Sequence, residues 1–135
     1  MKKLFFTLVL FTSFICLSGQ NSSGDTLLFG SFSYKEMNLW DSIEKQWQQK
    51  YFNPFLKKHK IKITCGGCSR FIINTYFEVD EKGAGHAKLL LAERCSGLIP
   101  KKQFDELTRL LQQIIFPSEF HNKKYKLSMG RVLKC

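Results

Sequence analysis

The chain has 135 residues, enough for one domain with one modest core and too few for two. Its 21 Lys and Arg against 11 Asp and Glu give a formal charge of +10, and 44% apolar residues with 13 Phe exclude a disordered tail. The basic residues are scattered, with no stripe of interleaved stacking aromatics, so anionic lipid, glycan or acidic protein fits the charge better than nucleic acid.

The first residues follow the order of an export signal. Lys2 and Lys3 are a positive start, Leu4 to Leu17 is an uncharged apolar run, and Ser18, Gly19 and Gln20 suit a cleavage zone. This predicts a signal peptide over 1–19 and a periplasmic or secreted protein, with +10 falling to +8 once Lys2 and Lys3 leave. The apolar run is short of the roughly 20 residues a membrane span needs. Retention of residues 4–17 as an anchor is the alternative. Lipidation at Cys16 is a further one, against which the bulky Phe14 and Ile15 count.

Residues 20–40 begin rich in Ser, Gly and Asn and read as a flexible arm, with a short strand conceivable over Leu27 to Phe32. The domain proper is 41–135. Its first helix is predicted from Asp41 to Tyr51, with Asp41 as N-cap and Glu44 completing a capping-box pattern. Trp40, Ile43, Trp47 and Tyr51 recur at helical spacing as a core stripe, and Pro54 is expected to end the helix. From Ser69 to Asp80, Phe71, Ile73, Thr75, Phe77 and Val79 alternate with Asn74, Tyr76 and Glu78, which predicts a strand. Glu81 to Gly85 is a glycine turn. His86 to Ala92 returns with Ala87, Leu89 and Leu91 on one face, closing an antiparallel hairpin. A second helix runs from Lys101 to Ile115, opened by Pro100 and closed at Phe116-Pro117, with Phe104, Leu107, Leu111 and Ile114 as its stripe. Tyr125 to Lys134 is the last strand, with Leu127, Met129 and Leu133 sharing a face.

The order helix-strand-strand-helix-strand predicts an α+β fold: a three-stranded antiparallel sheet with two helices on one face. A helical crossover returns the third strand parallel to the second. With the first strand between them the arrangement is a split β-α-β, whereas a third strand paired with the second would put Cys135 at the far end.

In that arrangement the start of the first strand and the ends of the other two share one end of the sheet. Cys65, Cys68, Cys95 and Cys135 therefore converge. Three chemistries fit. Two structural disulfides suit an oxidising export compartment and need no cofactor. A zinc site with four thiolates suits the C-x2-C spacing, with zinc as cofactor. A redox-active Cys65-Gly66-Gly67-Cys68 pair is the third, although such pairs sit at a helix N-terminus and this one leads into a strand. His59, His86 and His121 lie far apart and read as surface residues, with His59 or His86 as spare metal ligands. Asp105-Glu106 reads as the solvated face of the second helix. Gly83 and Gly85 open no helix and so form no phosphate loop. No catalytic set emerges.

Over about Phe71 to Leu133 the chain resembles the C-terminal domain of TonB-type energy transducers. The resemblance lies in Phe77-Glu78-Val79-Asp80 followed by Gly83, the helix Phe104 to Ile115, the closing Phe116-Pro117 and the last strand Tyr125 to Leu133. It implies the same sheet-and-helix fold, periplasmic exposure, a bacterial source and partner binding by strand addition at the last strand. No Pro stands between the apolar run and the first helix, where a transducer has a Pro-rich spacer, so the expectation is a stand-alone TonB-like domain.

The expected function is therefore an exported, non-catalytic interaction domain. Its partner is a protein of the cell envelope, outer-membrane proteins included. Binding is expected along the edge Tyr125, Lys126, Leu127, Ser128, Met129, Gly130 and Arg131, which is also open to a second copy. The alternative is a metal-binding or thiol-redox protein built on the cysteines. A basic protein acting on anionic membranes is a third reading.

Overall fold

The computed structural model describes residues 26–28, 31–95 and 97–135, so the signal peptide expected over 1–19 lies outside the described residues. Helix α1 (Tyr34–Trp47) begins ahead of the expected Asp41. Ser33 is its N-cap: Ser33 Oγ accepts from the Glu36 N–H at 3.2 Å, and Glu36 Oε2 accepts from the Ser33 N–H at 2.8 Å. This reciprocal box satisfies two donors that a helix start leaves unpaired, and it displaces the pattern at Asp41 and Glu44. The arm expected over 20–40 therefore already contains the first turns of α1.

Pro54 does not end the helix. A π-helical segment (Gln48–Phe52) leads into α2 (Asn53–Lys58), with the Asn53 N–H reaching back to the Gln48 carbonyl. Proline has no N–H to give, and its ring crowds the carbonyl four residues earlier. The wider π turn ahead of it relieves that crowding, and the helical run continues to Lys58.

The fold is α+β, and among the described residues its sheet has five strands rather than three: β1 (Thr26–Leu28), β2 (Arg70–Val79), β3 (Gly85–Arg94), β4 (Gly97–Leu98) and β5 (Lys124–Val132), in the order β1-β5-β2-β3-β4. Antiparallel β2 sits between β3 and β5, so α3 returns the chain parallel to β3 with one strand skipped. The two additions are short. β1 pairs parallel with the start of β5, and β4 pairs with the end of β3. Strands of two or three residues are too brief to show alternation.

Helix α3 (Lys101–Leu111) is the crossover and ends before the expected Ile115. Ile114 is buried, whereas Ile115 is 69% exposed and bridges to Ala84. In β3 the register slips against Asn74 and Thr75, leaving Leu90 as a bulge. Leu89 faces the core, Leu90 turns out to 42% exposure, and Leu91 lands on the outer face rather than beside Ala87 as expected. The inserted residue reverses the pleat beyond it.

The described helices cover one face of the sheet. Trp40, Trp47, Phe52 and Phe55 from the first helical run, and Leu107 and Leu111 from α3, share one core with Phe71, Ile73, Phe77, Leu89, Tyr125 and Leu127. Phe52 stacks on Trp47 at 5.5 Å and meets Phe71 edge-on at 5.2 Å. Trp47 Nε1–H donates to the Leu110 carbonyl at 2.8 Å, pinning α1 to the end of α3. Among the described residues no helix is long and apolar enough to cross a membrane.

Candidate functional site

The four cysteines meet at one end of the sheet, as predicted. Cys65 pairs with Cys135 and Cys68 with Cys95, at Cα separations of 5.5 and 5.2 Å. The two members of the C-x2-C motif are thus bonded to different strands and not to each other. The four sulfurs are thereby paired two by two, across the strand ends. The loop carrying Cys65 and Cys68 closes on itself through Thr64 N–H to the Cys68 carbonyl at 2.8 Å. Arg70 Nε donates to the Cys95 carbonyl at 2.9 Å and steadies the second bond.

Two of the three histidines, His59 and His121, are partly buried, while His86 lies at the surface as expected. His59 is 15% exposed at its side chain, packs against the Phe55 ring and lies 2.8 Å from Glu106 Oε2. Lys58 Nζ takes the other oxygen of Glu106 at 2.8 Å. Glu106 is therefore the tie between α2 and α3 and not part of a solvated face, while Asp105 is exposed and pairs with Lys101. Lys58, and then His59, holds the Glu106 carboxyl below its ordinary range. His86 is exposed and faces Asp80 at 3.3 Å. His121 Nε2 lies 3.0 Å from the Phe116 carbonyl. Among the described residues no group of three metal-ligating side chains comes together.

The edges of the sheet decide where a strand can be added. On β5 the phase is set by Val79 N–H to the Lys123 carbonyl and Leu133 N–H to the Ser69 carbonyl. Residues 123, 125, 127, 129, 131 and 133 thus bond to β2, and Lys124, Lys126, Ser128 and Gly130 turn their backbone groups outward. β1 lies along Lys124 to Lys126. Gln48 Nε2 donates to the Gly130 carbonyl at 2.8 Å, and the Gly130 N–H donates to Glu44 Oε1 at 3.3 Å. The edge expected over Tyr125, Lys126, Leu127, Ser128, Met129, Gly130 and Arg131 is therefore closed at both ends, with Ser128 between. Tyr125, Leu127 and Met129 are core residues.

On β3 the phase is set by Asp80 N–H to the Ala84 carbonyl and Cys95 N–H to the Arg70 carbonyl. His86 and Lys88 bond to β2, and Ala87 and Leu89 turn outward. The start of this edge is occupied by Phe116 N–H on the Gly83 carbonyl, and its end by Ile99 N–H on the Ala92 carbonyl and by β4. The middle runs beside α3, forming a groove of about 700 Å³ between Ala87-Lys88-Leu89 and the Lys102, Phe104, Thr108 and Arg109 side of the helix. A second hollow of about 400 Å³ continues it past Leu90 and Leu98. Sequence reasoning missed this edge. The bulge at Leu90 and the two-residue β4 that set its limits are too local to show as alternation in the sequence.

Comparison with protein-family models, curated proteins and solved structures found no match for this chain. The residues themselves carry the functional reading.

Proposed function

We propose that the protein is an exported, non-catalytic interaction domain, stapled by disulfides and binding a cell-envelope protein by strand addition at the rim of its sheet. The pair of disulfides carries the reading, because such bonds persist in oxidising compartments and are typical of small secreted domains. The Lys2-Lys3 start, the apolar run to Leu17 and the basic surface support export and an acidic partner. The TonB-like placement of Phe77 to Asp80, Phe116-Pro117 and the last strand supports a periplasmic setting and recognition through the backbone.

The intact mass of the natively exported protein tests this. The expected result is a chain lacking residues 1–19, with both disulfides formed and no metal. A chain retained whole in the cytosol, or one carrying free thiols or chelator-removable zinc, would sink the reading.

A further inference from the structure

Resting on the proposal that this is a binding domain, we infer that its binding site is the groove between the β3 edge and α3, and that the ligand is a short extended peptide with acidic side chains. Ala87 and Leu89 present outward N–H and C=O groups for which the described residues offer no ladder strand, and α3 forms the opposite wall. This is the geometry in which a peptide joins a sheet and is held from one side by a helix.

Length follows from the two closed ends. Between the Gly83–Phe116 bond and β4, the free stretch from Ala87 to Leu90 spans about 13 Å at strand rise, so roughly four residues of ligand pair with it. Alternate ligand side chains then point toward Phe104 on the inner side and into solvent on the outer side. Leu90 and Leu98, 42% and 73% exposed, offer an apolar landing just past the end of the paired segment.

Charge selects the ligand. Lys88, Lys102 and Arg109 are all exposed around the groove, and the one acid on its wall, Asp105, is already paired with Lys101. A second copy of this chain would set these cations against their own counterparts, and like charges across an interface repel. The chain's own first residues match poorly in charge, since Asp25 is the sole acid ahead of Glu36, and Thr26–Leu28 pairs at the far edge of the sheet. An acidic extended segment satisfies both the open backbone and the basic rim.

The test uses the full mature protein with intact disulfides. The probes are a synthetic peptide alternating valine with glutamate and its valine-lysine counterpart, read by titration and by residue-resolved amide hydrogen exchange. The inference expects the acidic peptide to bind, the lysine peptide to fail, and the Ala87 and Leu89 amides to gain protection. The exposed double variant Lys102→Glu with Arg109→Glu should keep the fold and weaken binding by about tenfold or more at low salt. Binding that protects Ser128 instead, or that ignores the charge reversal, overturns the groove while leaving a binding domain. Protection of Ala87 and Leu89 that grows with protein concentration alone replaces the peptide by a second copy. No binding of either peptide overturns the acidic ligand, whereas the proposed function itself stands or falls on the separate mass measurement.

Discussion

Gly130 shows how much one residue can organise. Its φ of +127° lies where side chains are strained, and a Cβ there would come within 2.2 Å of the Phe71 carbonyl oxygen. Gly130→Ala is expected to cost about 2–3 kcal/mol, read as a lower denaturation midpoint with an unchanged slope. Glu44 supplies the acceptor for the Gly130 N–H, and burial raises its carboxyl above the ordinary range, with the Gly130 and Gln48 hydrogen bonds pulling the other way. A raised folded value means the folded state holds the proton more tightly. This contribution to stability is therefore present at low pH and lost as pH rises through the folded value. Glu44→Gln keeps the acceptor oxygen and removes the titration. Its stability relative to the parent should improve from acid to neutral pH in parallel melts; an unchanged difference would contradict the assignment. Glu106 has the opposite sign: its lowered carboxyl stabilises the fold above its ordinary range, and that gain fades as pH falls through the folded value.

The elements were legible where alternation or helical spacing ran long. The central strands, their order and α3 follow from Phe71 to Val79, the hairpin glycines and the Phe104 to Leu111 stripe. The start of α1 was not, because Ser33-x-x-Glu36 and Asp41-x-x-Glu44 are equivalent as patterns and differ only in tertiary contact. Glu44 is drawn away to Gly130, which leaves the earlier box to open the helix. Ser33→Ala should accordingly cost about 1 kcal/mol and Asp41→Ala less than about 0.5 kcal/mol in chemical denaturation. The continuation past Pro54 was hidden for a different reason: proline's rule assumes an α-helical neighbour, and the π segment before it lifts the clash. At the candidate site, convergence of the cysteines could be read from strand order. The pairing could not, since any of the partners lay within reach. The open β3 edge depended on β1 and β4, which leave almost no sequence trace.

At the scale of the whole molecule, the aromatic core and the staples divide the work of holding it together. The helices dock through Trp40, Trp47, Phe52 and Phe55, while the sulfur bonds act only within the sheet half. Replacing Cys65 and Cys135 together by Ser should lower stability by about 2–4 kcal/mol, measured by denaturation without reductant, and should leave the Cys68–Cys95 bond formed. A similar loss from the Cys68 and Cys95 double replacement is expected, since each bond closes a loop of its own.

The Cys65–Cys135 bond also changes what the two ends of the chain mean mechanically. A load carried along the chain through this segment passes from Cys65 straight to Cys135, and the 70-residue separation between them is bypassed. The segment between the two cysteines cannot lengthen, whereas the chain ahead of Cys65 can, by about 3.4 Å per residue. Under tension the N-terminal helices would peel away while β2 to β5 stayed slack inside a covalent ring, their groove still in place.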